Sequence, residues 1–498
     1  MKQAMIAIGP IRQLALAAAA TLVLSACASQ DGIKPAASVA SVADYASSAL
    51  LPGGSGDWPA LDWARSIGGS ELQALVDEAV RDNPGLRAAA ARVQAAAALA
   101  DSARSARAPS IGAGASATYQ RYTEHGLVPP ALAGTYKTDS KVTLDFSYDF
   151  DFWGRHAAAL RGALAQGRVA QAEQHSSRLI LASAIARSWL QLARQQAQLD
   201  LGSRQLAARE KLEHLVRLRY AAGLDTRSDS EQARQQIAVL RAEQAQWREA
   251  MALTRNQLAA LLGQGPDRGL RIAAGALPQA SVLALPDALP AGLLGRRPEV
   301  VAARWRVEAA QGDIDVARAQ FYPNVNLAAF AGVSSLGLSR LFDPGSQIIG
   351  IGPAIRLPVF EGGALRAQLK GRVAGYDAAV ASYNQALTEA LRDVADQVQS
   401  MRGAAEQAGQ LLVASEAAQQ AWHLAREREQ KGTANMLPVL AGELAWLAQR
   451  KVEVELVARR AELQVGLIKA LGGGFDARAL AADDGAAVAN SPSSKSGS

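Results

Sequence analysis

The sequence predicts a mainly α-helical protein with a small β part, built from two tandem repeats. Three observations predict it. The 498-residue chain is 49% hydrophobic yet only 5% aromatic, and apolar content carried largely by Ala and Leu suits long helices packed side by side better than a thick globular core. No proline interrupts the chain from Trp153 to Ala222, a run long enough for about 100 Å of helix, and Ile185, Leu192, Leu199 and Leu206 recur in it every seven residues. Landmarks also recur in one order at nearly one spacing: Asn83-Pro84 to Pro109 matches Arg297-Pro298 to Pro323 at an offset of 214, and Ala222-Gly223-Leu224 matches Lys431-Gly432-Thr433 at 209. Phe152-Trp153 pairs with Val359-Phe360 at 207 on this reading, and Leu262-Gly263 with Leu471-Gly472 at 209.

The N-terminus reads as an export signal. Lys2 and Arg12 precede a 13-residue apolar or small run, Leu14 to Ala26, that stops at Cys27. Such a run is too short to span a bilayer but fits the apolar region of a signal peptide, so residues 1–26 are expected to be removed. Leu24-Ser25-Ala26-Cys27 resembles the lipobox of bacterial lipoproteins, which makes Cys27 the expected acylated residue; Ala28 rather than Asp then favours the outer membrane. Cys27 is the single cysteine, so no internal disulfide is possible. Residues 27–69 read as a linker after the lipidated cysteine.

The first repeat, 70–263, opens with a helical stretch from Glu71 to Arg107. A strand pair over 109–152 follows. In its second strand Val142, Leu144, Phe146, Tyr148, Phe150 and Phe152 alternate with Lys141, Thr143, Asp145, Ser147, Asp149 and Asp151, giving one apolar and one polar, acidic face. The long run then turns at Gly223 and returns toward Leu262 as a helical hairpin. Residues 264–292 are an inter-repeat linker or equatorial segment. The second repeat, 293–472, has the same grammar: a helix from Glu299 to Gln320, a weaker strand pair over 323–360, and a hairpin turning at Gly432, with Val373, Val380, Leu387, Val394 and Met401 in heptad register. Residues 473–498 read as a flexible tail.

Four strands cannot close a membrane barrel, which starts at about eight. Two copies would give eight strands with a filled interior, and three give twelve with room for a passage. The expected assembly is therefore a homotrimer, with a 12-stranded transmembrane β-barrel and the hairpins forming a periplasmic α-barrel below it.

Four ordered motifs carry a family resemblance. Leu293-Leu294-Gly295-Arg296-Arg297-Pro298-Glu299-Val300, Ala317 to Val325, Tyr148-Asp149-Phe150-Asp151-Phe152-Trp153-Gly154-Arg155 and Lys469-Ala470-Leu471-Gly472-Gly473-Gly474 resemble the lipoprotein branch of the TolC-like outer membrane factors. The resemblance implies a passive exit duct in the outer membrane, served by a periplasmic adaptor and an inner-membrane pump, of RND type, and passing small toxic compounds or drugs. It implies that the hairpin tips, Ala222, Gly223 and Leu224 with Lys431, Gly432 and Thr433, engage the adaptor. Leu437 and Leu440 match positions where the family narrows its tunnel. Ala441 stands where the family often has an acidic residue, which leaves Asp229 or Glu443 as substitutes and Leu437 as a hydrophobic constriction. Pro438 is expected to bend or restart its helix.

If the apolar strand face meets lipid, Asp145, Asp149 and Asp151 face the lumen and favour cations, unless some pair with Arg or Lys across the strands. The net charge of +6 is spread without a basic block, so nucleic acid is not an expected partner. The five histidines are scattered and no catalytic, metal or phosphate-binding motif is present, so neither enzyme activity nor a cofactor is expected. The alternatives weighed are the outer membrane channel of a type I protein secretion system and a non-porous coiled-coil lipoprotein.

Overall fold

A computed structural model describes residues 29–45, 50–51, 56–278, 286 and 289–478. Residues 1–28, with the expected signal and Cys27, and residues 479–498 lie outside the described part.

The repeats are built alike. Helix α1 (Ala64–Asp82) and helix α2 (Pro84–Ser105) precede strands β1 (Ser110–Arg121) and β2 (Tyr136–Phe150), and then the hairpin of α3 (Arg155–Ala221) and α4 (Arg227–Leu261). After two short helices, α5 (Asp267–Leu270) and α6 (Leu289–Arg296), the second repeat runs through α7 (Pro298–Ala319), β3 (Asn324–Leu336), β4 (Gln347–Arg356), α8 (Ala364–Gln430) and α9 (Met436–Ala470). The long helices α3 and α8 are 67 residues each and the returning helices α4 and α9 are 35 each. All four keep an offset of 209.

The expected single helix from Glu71 to Arg107 is two. Pro84 has no amide hydrogen to continue α1, and the Asn83 side chain instead caps α2, accepting from the Gly85 amide at 2.7 Å. The repeat alignment near the strands also needs correction. Ser110 pairs with Ser147 and Asn324 with Arg356, so β2 and β4 correspond at 209, and Phe152-Trp153 matches Glu361-Gly362 rather than Val359-Phe360. The change of offset from 214 to 209 falls in the loop joining the paired strands, which spans 122–135 in the first repeat and 337–346 in the second.

Contacts divide the chain into two units. The first holds, among the described residues, 29–39, 94–169 and 304–383. Its four strands form one antiparallel sheet in the order β1-β2-β3-β4. At the lower end of the sheet, Ile33 packs with Ile314, Ala317, Leu369 and Val373. Ile33 belongs to a segment expected as linker, which is instead tied down: Asp377 accepts from the Ala36 and Ala37 amides and Arg366 donates to the Ser29 carbonyl.

The second unit holds the described residues within 40–93, 170–303 and 384–478. Its larger core joins Leu72, Ile185, Trp189, Leu192, Leu258 and Val465, placing the heptad residues of α3 against α1, α4 and α9. The terminal glycines are fixed by packing. Gly472 has φ +93° and a Cβ there would stand 1.8 Å from the Arg296 carbonyl oxygen; one on Gly473 would meet Leu179 at 2.2 Å. Only glycine fits such positions. Gly473, Gly474 and Phe475 were expected in a tail, yet Phe475 is buried, because this turn closes over α6 and α3. Asp476 is bonded by Arg478 and paired with Arg296, and the Arg478 hydrogen bond foremost lowers its pKa to about 2.

Candidate functional site

The sheet is two-faced across all four strands. The register sets Leu144 opposite Ala113 and Ala331, and Ala331 opposite Ile349; Phe146 likewise meets Ile111 and Ala329, and Ala329 meets Ile351. These residues share one face because side chains alternate along each strand. In the single chain Ile349 is 86% exposed and Ile351 77%, so a large aliphatic surface has no protein cover. On the opposite face stand Ser116, Thr143, Asp145, Ser147 and Asn326, together with the strand glycines 112, 114, 332, 350 and 352. Phe330, Leu336 and Ile348 are apolar side chains on that face, and the Phe330 ring lies against Gly350 and beneath the Lys141 ammonium.

The structure separates the three expected lumen carboxylates. Asp145 is on the polar face and accepts from Thr143 Oγ1 at 3.0 Å. Asp149 accepts from Arg155 at 2.7 Å and lies 3.1 Å from His156 Nε2. Asp151 is past the end of β2 and caps α3, accepting from the His156 and Ala157 amides at 3.0 and 2.8 Å. The charged residues Lys137 and Lys141 also share the polar face with Asp139 and Asp145. Asp149 and Arg356 lie on that face as well, so its acidic and basic residues are equal in number along these strands.

At the lower strand ends Trp153 stacks on Tyr322, with centroids 4.4 Å apart, and its Nε1 donates to the Pro323 carbonyl at 2.8 Å. At the other end Tyr119 stacks on Tyr136. Aromatic pairs thus mark both borders of the apolar face. From Tyr136 to Phe150 the strand extends about 45 Å, or roughly 35 Å when tilted by the ~40° usual in barrels, enough for the apolar band of an outer membrane plus its aromatic borders.

The hairpin tips turn in the same way. Gly223 and Gly432 have φ +73° and +71°, and the amides of Leu224 and Thr433 bond back to the carbonyls of Arg219 and Arg428. These are glycine-terminated helix ends. Ala222, Gly223 and Leu224 are exposed, as are Lys431, Gly432 and Thr433. The tips differ in one respect: Arg219 holds Asp225 through two 2.9 Å hydrogen bonds, whereas the corresponding second-repeat position is Ala434 and leaves Arg428 without that partner.

Among the gate candidates, Asp229 is exposed and closes a capping box with Thr226, whose hydroxyl hydrogen bond foremost lowers the Asp229 pKa. Leu440 is only 3% exposed in the single chain, and Leu437 is half-buried. Pro438 causes no bend, since it falls in the first turn of α9 where no amide hydrogen is needed. Sequence reading missed a groove of about 520 Å³ lined by Lys211, His214, Trp422, Met436, Leu440 and Glu443. Trp422 stacks on Trp446 at 5.0 Å beside it. The repeat comparison could have found this pair, because the first repeat has Glu213 and Ile237 at those positions. Among the described residues, no three His, Cys, Asp or Glu side chains form a metal-binding group, and no helix is long and apolar enough to cross a membrane.

Two long helical hairpins and a two-faced sheet with both edges unpaired in the chain define the subunit of a channel of the outer membrane type. The profile described as outer membrane efflux protein matches residues 75–264 and 289–473, and the chain belongs to that family. It is 36% identical over 370 residues to the fusaric acid resistance protein FusA of Burkholderia cepacia, covering 73% of this chain and 69% of that protein. It is 33% identical over 416 residues to the toluene efflux pump outer membrane protein TtgF of Pseudomonas putida, covering 84% of this chain and 86% of TtgF. The solved outer membrane protein VceC of Vibrio cholerae matches with a TM-score of 0.77 at 38% identity, over 84% of this chain and all of VceC.

Proposed function

We propose that this protein is the outer membrane exit channel of a tripartite efflux system, passing small toxic compounds out of the cell without catalysing a reaction. The observation that carries this reading is the strand register, which gathers aliphatic side chains on one face and glycine, hydroxyl and balanced charges on the other. The first face suits lipid and the second a water-filled lumen. The free edges of β1 and β4 call for pairing with further copies, and three copies close a 12-stranded barrel. FusA and TtgF, named for fusaric acid resistance and toluene efflux, support small toxic compounds as cargo.

On this reading the exposed tips at Gly223 and Gly432 meet a periplasmic adaptor that links the channel to an inner-membrane pump of RND type. Leu437 narrows the passage near the tips, and Asp145 lines the upper lumen. The signal sequence 1–26 is removed, and acylated Cys27 adds an anchor, since several buried acyl chains hold a protein stably at a bilayer. Domains follow the repeats, 70–263 and 293–472. Reconstitution of the purified full-length protein into planar lipid bilayers tests the reading. Discrete ohmic conductance steps are expected, and a protein that inserts as an oligomer yet conducts nothing, even after substitution of Leu437 by Ala, would overturn it.

A further inference from the structure

On the polar face of the sheet one aromatic ring stands among small side chains. The row through Phe330 reads Gly112, Asp145, Phe330 and Gly350 across the four strands, and Ala328 and Gly332 flank the ring along β3. Of the residues that β1 to β4 place on this face, Phe330 alone is aromatic. Its ring lies over Gly350, where a Cβ would stand 2.6 Å from both Cε1 and Cζ, so any other residue there would push the ring off the wall.

This ring already holds a cation. Lys141 Nζ lies over it, 5.6 Å from the centroid, although Asp139 and Asp145 share the same side of the same strand. The ring quadrupole draws a positive charge about as strongly as an exposed carboxylate does. Asp145 is left with one hydroxyl donor, Thr143 Oγ1 at 3.0 Å, and with no cationic partner among the described residues. It stands directly opposite Phe330 in the β2–β3 register, so a positive charge that reaches the ring also comes within reach of a carboxylate. Ile348, two residues from Gly350 on β4 and opposite Gly332, adds a half-buried apolar side chain at the upper side of the ring.

We propose that Phe330, Asp145 and Ile348 form a subsite for organic cations on the channel wall, with Lys141 as its tethered competitor. Ring and carboxylate both attract positive charge, and the Lys141 ammonium shows where that charge sits. Ile348 offers organic substituents an apolar surface that a hydrated metal ion does not use. Around an added Cβ at Gly112 or Gly352 no atom lies within 4 Å, so a bulky headgroup has room beside the ring. Asp145 repels an anion that would otherwise pair with Lys141. The contact is exposed and therefore weak, which suits a duct, where a site must release what it binds.

This inference rests on the reading of the polar face as a channel lumen, and its test separates the two. In planar bilayers holding the full-length protein, benzyltrimethylammonium is expected to reduce the potassium chloride current in a concentration-dependent way. Phe330→Leu should raise the half-blocking concentration about two- to tenfold, and Phe330→Tyr, which keeps a ring, should leave the block in place. Lys141→Gln should lower the half-blocking concentration about two- to tenfold by removing the competitor. Lys137→Gln removes the same charge farther along the strand, and a change below about twofold is expected there. Equal block of wild type and Phe330→Leu overturns the subsite. So does an effect of Lys137→Gln as large as that of Lys141→Gln, because the general field of the lumen then explains both. Block by benzoate but not by benzyltrimethylammonium overturns the choice of a cation. A protein that inserts and conducts nothing overturns the lumen reading itself.

Discussion

Gly162 and Gly312 bring α3 and α7 into backbone contact: a Cβ on Gly312 would meet Gly162 Cα at 3.0 Å and the Ala158 carbonyl oxygen at 3.1 Å. A Cβ on Gly162 would meet nothing nearer than 3.5 Å. The two glycines therefore respond differently to a methyl group. Gly312→Ala is expected to destabilise the protein by about 1–3 kcal/mol, because helix backbone on both sides must separate. Gly162→Ala is expected to be neutral or to stabilise by up to about 1 kcal/mol through helix propensity. Thermal denaturation of the two variants measures the difference, and equal losses would show that the crossing is looser than described.

Gly472→Ala is expected to prevent correct folding. Its added methyl would overlap the Arg296 carbonyl at a φ that side chains avoid. Gly154 has φ +71° but open space around it, so Gly154→Ala should lose only about 1 kcal/mol. Yield of oligomer in outer membranes distinguishes the two outcomes.

The Asp476 carboxylate titrates near 2 in the folded protein, below its unfolded value of about 4. A depressed carboxylate stabilises the fold above its unfolded pKa and ceases to do so as pH falls through the folded one. Wild type should therefore exceed Asp476→Asn in stability by on the order of 1 kcal/mol at pH 5–7, since Arg478 is largely solvated. The gap should close between about pH 4 and pH 2. Denaturant midpoints across that range give the answer, and a gap that widened on acidification would contradict the assignment.

Asp145 and Asp149 should separate in their effects. Asp145→Asn removes a carboxylate from the polar face and is expected to lower the cation-to-anion permeability ratio in bilayer recordings. Asp149→Asn removes the partner of Arg155 and His156, and should lower stability by about 1–2 kcal/mol with a smaller effect on selectivity.

Asp225→Ala should loosen the first hairpin tip, raising amide exchange around Leu224 by about three- to tenfold, the equivalent of a bidentate pair. Ala434→Asp should have the opposite effect at the second tip by giving Arg428 a partner.

Much of the fold was legible in the sequence because it is periodic and local. Heptads at Ile185 and Leu192 or Val380 and Leu387 announce helices packed along their length, and the alternation around Leu144 announces a two-faced strand. The glycines at the tips and the repeat landmarks needed only counting. Other features depend on which residues meet in space. Asp151 reads as a strand carboxylate because alternation continues through it, but it sits where the α3 amides need an acceptor, and that demand decides its role. Leu440 is apolar at a family gate position, yet the packing of its unit buries it. The sequence by itself determined the two repeats, the hairpins and the two faces of the strands. Only the tertiary structure decided that α3 carries α7, because contacts between repeats are set by how long helices cross, and no periodicity along one chain records where they do.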